Sequence, residues 1–387
     1  MNKQPGAIII EGHVQGLSNT HSLGESGISV FVMDTHDCVA RYSKYCKKFF
    51  KCPPFDSDEL ADFLIRLADE HNLEGWLLMP SNDHAVLTIS RNKKQLEKYF
   101  EAITPGLDII ENIYDKSKLI KVAEETGVPV PETYYAPNTK IESFDLAFPV
   151  ITKGKQGLNF AKATGRKAFL ANDTDEFKEQ LEHIEKTVPI TNTFTQEVIP
   201  DNGINKTVSY AAFCENGEIK AYWMGIKLRE HPLRFGTATF AESVFIDECH
   251  RQSVPLLKAL SYTGVCEVEY IQDPRDNRYK LIEINARTWL WVELAKRCGV
   301  DFAKIAYDYV NGNKINYPKS YDIGVKWINP FSDTAYSLMA IFKGKLGAKR
   351  YLSSLIKGKT ISALFYKKDI LPGIQYLLKI FYFLKNR

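Results

Sequence analysis

The sequence predicts an α/β unit followed by an α+β unit, with a basic helical tail at its end. Three observations lead there. Apolar strands alternate with amphipathic helices through the first third. Two hairpin signals replace that alternation in the middle third. Residues 341–387 carry eleven Lys or Arg against one acid, Asp369, a net of +10 that leaves −7 on the rest of a chain whose total is +3.

The first third opens with an apolar strand over Ala7–Glu11 and a turn from Gly12 to Gly16. A second strand, Ile28–Met33, ends in Asp34. Asp56 or Ser57 caps a helix whose apolar face is Leu60, Phe63, Leu64 and Leu67. Trp76–Met79 is a strand, and a helix runs from Asp83 to Phe100. This order implies a parallel sheet covered by helices. The Gly12–Gly16 turn invites a dinucleotide reading, but the full glycine pattern is missing and a plain strand-to-helix turn is favoured.

Asp115 caps the next helix, whose face is Leu119, Val122 and Ala123 and which Gly127 ends. Further on come a strand at Phe148–Lys153, a helix at Asp173–Ile184 and a strand at Thr193–Ile199. The hairpin Val208–Cys214 to Ile219–Lys227 turns at Asn216-Gly217, a strong hairpin dipeptide. A helix at Val254–Leu260 precedes a second hairpin, Val265–Asn285. In the tail, Ile374, Leu377, Leu378, Phe381 and Leu384 recur at helical spacing among lysines.

Composition excludes several classes. With 387 residues, 44% hydrophobic and 25% charged, the chain is neither disordered nor a disulfide-stapled miniprotein. The seven cysteines form no Cys-x-x-Cys pair, and no histidine completes a zinc spacing near Cys38, Cys46 and Cys52. No leader-like stretch opens the sequence and no apolar run is long enough to span a bilayer, so a cytoplasmic protein is expected. No nucleic-acid reading motif accompanies the basic tail. That tail reads either as a helix docked on the body or as an interfacial helix on the inner face of a membrane.

The chemistry concentrates in Gly264–Arg287. Folded symmetrically about Asp276, the hairpin sets Glu269 opposite Glu283 and Glu267 opposite Asn285, all on one face. Like charges directly opposed destabilise a strand pair, and a bound hard cation would resolve the conflict. Carboxylate and amide oxygens suit Mg²⁺, which commonly shares substrate phosphates.

The pattern Glu269 … Glu283-Ile-Asn285-Ala-Arg287 resembles the ATP-grasp superfamily, in its carboxylate–amine ligase (D-aspartate-ligase-like) branch. The resemblance covers roughly residues 112–312. It implies a Rossmann-like pre-ATP-grasp domain over 1–112, a first lobe over 113–192, a second lobe with the metal site over 193–312 and a basic extension over 313–387. By resemblance Glu269, Glu283 and Asn285 hold Mg²⁺, with Mn²⁺ as an alternative ion, and Arg287 contacts the reacting groups. Glu267 is left as an outer support. Lys116 and Lys153 match the two phosphate-binding lysines. The hinge segment Glu197-Val198-Ile199 would hold the adenine of ATP, and Asn205 the ribose. Lys227 would reach the γ-phosphate, Arg229 a substrate carboxylate or acyl phosphate, and His231 and Arg234 the same pocket. One departure is plain: Lys153–Arg166, where the family's phosphate loop is glycine-dense, has no adjacent glycine pair.

The implied activity joins a small-molecule carboxylate to an amine through an acyl phosphate, in cell-wall or surface-polysaccharide synthesis, by an enzyme that relatives suggest is a homodimer. The alternatives are a kinase acting on a carboxylate and a non-catalytic nucleotide-binding or membrane-surface module. No side chain stands out as the base for the amine.

Overall fold

The computed structural model describes residues 4–135, 147–202, 206–231, 236–356 and 358–385. The N-terminal unit contains β1 (Ala7–Ile10), α1 (Val14–Glu25), β2 (Val30–Asp34), β3 (Cys46–Lys51), α2 (Glu59–His71), β4 (Trp76–Pro80), α3 (Asp83–Arg91), α4 (Lys93–Leu96) and β5 (Phe100–Ala102). The five strands form a parallel sheet in the order β3-β2-β1-β4-β5. β1 is completely buried, as a central parallel strand with both faces covered must be. The strand order reverses between β1 and β4, which opens a crevice at their carboxyl ends.

Two details depart from the periodicity. The helix expected over 83–100 stops at Asn92, whose side-chain amide donates to the Thr88 carbonyl and competes with the helix. The chain after it returns as the edge strand β5. At the other edge, β3 goes unread in the sequence because its lysines interrupt the alternation; lysine-rich edges of this kind resist pairing with other chains.

α5 (Leu107–Tyr114) and α6 (Lys116–Glu125) lead out of this unit, so the boundary expected at 112 falls inside a helix. Asp115 caps α6 by accepting from the Ser117 and Lys118 N–H groups, and Gly127 adopts a positive φ beyond its end. β6 (Thr133–Tyr135), β7 (Val150–Gly154), α7 (Gly157–Thr164), β8 (Phe169–Ala171), α8 (Thr174–Glu185) and β9 (Thr193–Glu197) follow. Their antiparallel sheet runs β6-β9-β7-β8.

The large sheet begins with β10 (Thr207–Glu215), β11 (Glu218–His231) and β12 (Thr237–Ser243). Asn216 and Gly217 both take positive φ in the β10–β11 turn, as the Asn-Gly signal requires. α9 (Asp247–Ala259), β13 (Gly264–Gln272), β14 (Tyr279–Asn285), α10 (Val292–Arg297) and α11 (Phe302–Val310) come next. The chain closes with β15 (Lys326–Ile328), α12 (Pro330–Phe342), α13 (Ala348–Ile356), β16 (Thr360–Ser362), α14 (Leu371–Leu378) and α15 (Ile380–Lys385). The sheet order is β14-β13-β10-β11-β12-β15-β16. Two strands from the stretch read as a separate extension thus complete this sheet.

α1 is the seam of the molecule. It is polar, yet all ten residues from Val14 to Leu23 are buried. Its own sheet lies on one side and the helices after β14 on the other, so its polar groups find partners in both. Asn19 donates to Ser81 and Thr288, Ser22 donates to Asp301, and His21 meets Asp369 at 3.1 Å. These bonds hold the crevice of the N-terminal sheet against the end of β14.

Candidate active site

The β13–β14 ladder pairs Glu269 with Glu283 and Glu267 with Asn285, the register expected from folding the hairpin about its turn. Two carboxylates therefore face each other on one sheet face. Each is met by a lysine from another element. Lys227 of β11 reaches both oxygens of Glu269 at 3.1 Å. Lys116, at the start of α6, donates to Glu283 at 2.8 Å. The charge of Lys116 holds the Glu283 carboxyl down to about 2. Burial opposes the charge on Lys227, but Glu269 and Glu267 outweigh it and hold the ammonium above its ordinary range.

Glu267 is buried and positions Asn285. It accepts from the Asn285 amide at 3.0 Å and from the Ser209 hydroxyl at 2.5 Å. Burial and the neighbouring Glu269 push its carboxyl up to about 8. Because Glu267 holds the nitrogen of the amide, the Asn285 oxygen is turned away from it, toward Arg287.

Lys153, at the end of β7, donates to Gln196 at 3.2 Å. Burial and the charge of Lys116 bring its ammonium down to about 7. A buried lysine whose protonation a second lysine depresses marks a place short of negative charge. The segment expected to be a phosphate loop is instead the helix α7. Its start lies beside Lys116: the Lys116 N–H donates to the Lys155 carbonyl at 2.8 Å, and a Cβ on Gly157 would sit 3.7 Å from the Lys116 side chain. Gly154 cannot carry a side chain, because a Cβ there would lie 2.2 Å from Phe160. A helix N-terminus beside two lysines suits a polyphosphate.

Two expectations need correction. The Arg229 guanidinium is committed elsewhere: it grips Asp333 of α12 through Nε and an Nη at 2.8 and 2.7 Å and donates to Ser354. A bulge in the β11–β12 ladder between Lys227 and Arg229 separates the two residues, so Arg229 ties the C-terminal helices to β11 rather than awaiting a carboxylate. The Glu197 carboxylate is likewise taken, by Arg275 at 2.5 Å and Lys280 at 2.9 Å. The backbone of this segment is also engaged: the Glu197 N–H donates to the Glu132 carbonyl at 3.0 Å and the Val198 N–H to that of Pro149, while Ile199 is buried. Asn82 caps α3, accepting from the Ala85 N–H, which frees the Asp83 carboxylate. Asn205 and Arg234 lie outside the described residues. His231 ends β11 with its ring stacked on Tyr336.

The freed Asp83 carboxylate holds Arg287 in a bidentate pair at 2.9 and 3.0 Å and accepts from Tyr114. Sequence reasoning also missed Glu11. It follows β1 with φ of 76°, accepts from Gln15 at 2.6 Å, and is pushed up to about 8 by burial and by Asp34. A carboxylate directly after the first apolar strand was the available signal. In the Gly12 turn Asp34 accepts from the Gly12 N–H at 2.8 Å, and a Cβ on Gly16 would collide with the Glu11 carbonyl.

Opposed carboxylates, an amide oxygen and a group of lysines thus meet at the junction of three sheets; the fold and the sequence both have relatives. Residues 238–317 match the family model for the carbamoyl-phosphate synthase L chain, ATP binding domain. A D-aspartate ligase of Enterococcus faecium (strain Aus0004) is 27% identical over 252 residues, a match spanning 61% of this chain and 59% of that protein. The fold of this chain is that of the ATP-grasp superfamily. Two solved structures share the ATP-grasp architecture. The L-amino acid ligase from Bacillus licheniformis superposes with a TM-score of 0.60 at 14% identity, over 80% of this chain and 75% of that one. The biotin carboxylase from Campylobacter jejuni, solved as a β,γ-ATP complex, does so with 0.64 at 15% identity, over 83% and 74%.

The donor set fits a hard divalent ion. Glu269, Glu283 and the Asn285 oxygen are all oxygen ligands, and the two carboxylates need a counter-charge, which lysines supply in this structure.

Proposed function

We propose that this ATP-grasp protein is an ATP-dependent carboxylate–amine ligase that forms an amide through an acyl phosphate. The observation that carries the reading is the gathering of Lys116, Lys153 and Lys227 around the opposed Glu269–Glu283 pair. The 27% identity to a D-aspartate ligase favours an amino acid as one substrate.

Free carboxylate resists attack by an amine, because its negative charge is shared between two oxygens and neither can leave. Phosphorylation makes one a leaving group. In this reading the substrate carboxylate attacks the γ-phosphorus of ATP and ADP departs. The amine then adds to the acyl carbon and phosphate leaves. Lys116 and Lys153 hold the phosphates, and Lys227 neutralises charge on the transferring group. Mg²⁺, or Mn²⁺ in its place, held by Glu269, Glu283 and Asn285, would supply Lewis-acid stabilisation of that charge. Asp83 orients Arg287 beside Asn285, and Glu267 orients Asn285 itself. The segment Glu197-Val198-Ile199 borders the adenine in this reading. A role in surface-polymer assembly at the inner face of the membrane completes the reading.

Hydroxylamine tests it. With ATP, Mg²⁺ and a panel of amino acids and dicarboxylic acids, hydroxylamine intercepts an acyl phosphate as a coloured hydroxamate. Hydroxamate that depends on one acid and on ATP supports the ligase. ADP formation with an acid that yields no hydroxamate rejects the acyl-phosphate step.

A further inference from the structure

Thirteen of the eighteen large hydrophobic side chains exposed among the described residues lie between Leu338 and Tyr382. α14 and α15 present this most clearly. One side docks on the body: Tyr376 and Phe383 are buried, and the Tyr376 ring stacks between Phe331 and Phe383 with both centroid distances 5.4 Å. The other side carries Ile370, Ile374, Leu377, Leu378 and Phe381, at steps of three and four along the helices, which sets them in one stripe. Leu378 is 73% exposed and Phe381 86%. The earlier pair of helices ends in the same way. Phe342 is 87% exposed and Ile356 82%, with Lys343, Lys345, Lys349 and Arg350 exposed between them in the chain.

Within this stretch of chain the exposed charge is of one sign, although the body pairs Lys379 with Asp37 and Lys368 with Glu25. Asp369 is the only acid from residue 341 onward, and it is buried, accepting from Ser43 and meeting His21. A second copy meeting this face would set the exposed Lys343, Lys345, Lys349 and Arg350 against their own kind. An anionic bilayer satisfies both features at once, with phosphates at the depth of the lysines and acyl chains beneath the stripe. Spanning is not at issue, since no described helix is long and apolar enough to cross a membrane.

We infer that α12 to α15 form a peripheral docking surface for an anionic lipid bilayer. The surface gives the proposed location at the inner membrane face a physical basis. It also shares an element with the candidate site: α12 packs on β11, the strand of Lys227, through the His231–Tyr336 stack.

The test is flotation of the full chain with vesicles of phosphatidylcholine alone or of phosphatidylcholine and phosphatidylglycerol at two to one. The protein should float with the anionic vesicles and not with the neutral ones. Leu378→Asp combined with Phe381→Asp should lower the bound fraction about tenfold. Both side chains face solvent, so folding should survive, which circular dichroism checks. Lys343→Glu with Lys345→Glu, on another segment, should also lower binding and weaken its dependence on salt. Failure to float with anionic vesicles overturns the inference, as does wild-type flotation of both variants. So does a stable dimer that the Leu378/Phe381 variant converts to monomer, because a second copy then covers the stripe. No arm needs ATP turnover, so the docking surface and the ligase reading fail separately.

Discussion

Asp83, the first residue of a helix in the N-terminal unit, holds the guanidinium of Arg287, just past the last strand of the hairpin, through two oxygens at 2.9 and 3.0 Å. The pair joins the crevice of the parallel sheet to the face that bears Glu283 and Asn285. Burial opposes the charge on Arg287, but Asp83 outweighs it and keeps the guanidinium firmly protonated. Asp83→Ala should leave Arg287 unpaired and free to rotate. Turnover should fall about 10²-fold from lost positioning. Asp83→Glu should recover part of it, which a purely steric role would not allow; steady-state kinetics on both variants decides.

Lys153 yields a pH prediction. Its pKa is lowered to about 7, so from there to its ordinary 10.5 the folded chain binds fewer protons than the unfolded one. Charged Lys153 therefore costs stability at and below neutral pH, and the cost fades as pH rises through that window. ATP phosphates should reverse the shift. Nucleotide binding at pH 8 should take up close to one proton, and at pH 6 almost none. Calorimetry in buffers of different ionisation enthalpy measures this. Lys153→Arg, which cannot lose its proton, should abolish the uptake while keeping a charge for the phosphates.

Glu283→Gln should remove one carboxylate from the opposed pair and leave Lys116 without its partner. Activity should drop about 10²–10³-fold while the sheet stays intact, since glutamine preserves the shape. Near-native thermal unfolding together with lost turnover supports the assignment. Full activity contradicts it.

The Arg229–Asp333 pair is a structural tie. Asp333 is completely buried, so Asp333→Ala should destabilise the fold by about 3–5 kcal/mol by stranding the arginine. The double variant with Arg229→Ala should cost less than the two single losses added together. A large loss of kcat in Arg229→Lys at unchanged stability would instead return Arg229 to the substrate.

Much of this was legible in the sequence where one local pattern settles the geometry. The β-hairpin is the clearest case: strict alternation and a single turn dictate that Glu267 faces Asn285 and Glu269 faces Glu283. Helix caps such as Asp115 and Asp173 are equally local. What stayed hidden depends on distant partners. Nothing near Arg229 announces Asp333, 104 residues away, and nothing near Glu197 announces Arg275 and Lys280. In the tail, spacing identifies residues that share a face but not which face docks. The helix is apolar on two sides, and the body takes Tyr376 and Phe383 while Ile374, Leu377, Leu378 and Phe381 of the stripe read from the sequence stay bare. β3 was lost because its lysines mask the alternation.

The central claim is that ATP is spent to activate a carboxylate for attack by an amine. Its most direct measurement is product stoichiometry with paired acids and amines in the presence of ATP and Mg²⁺. The account predicts ADP, phosphate and amide in equal amounts, formed only when one particular acid and one particular amine are both present. ADP formed without amide whenever the acid is present, or tight ATP binding with no turnover for any pair, would contradict it.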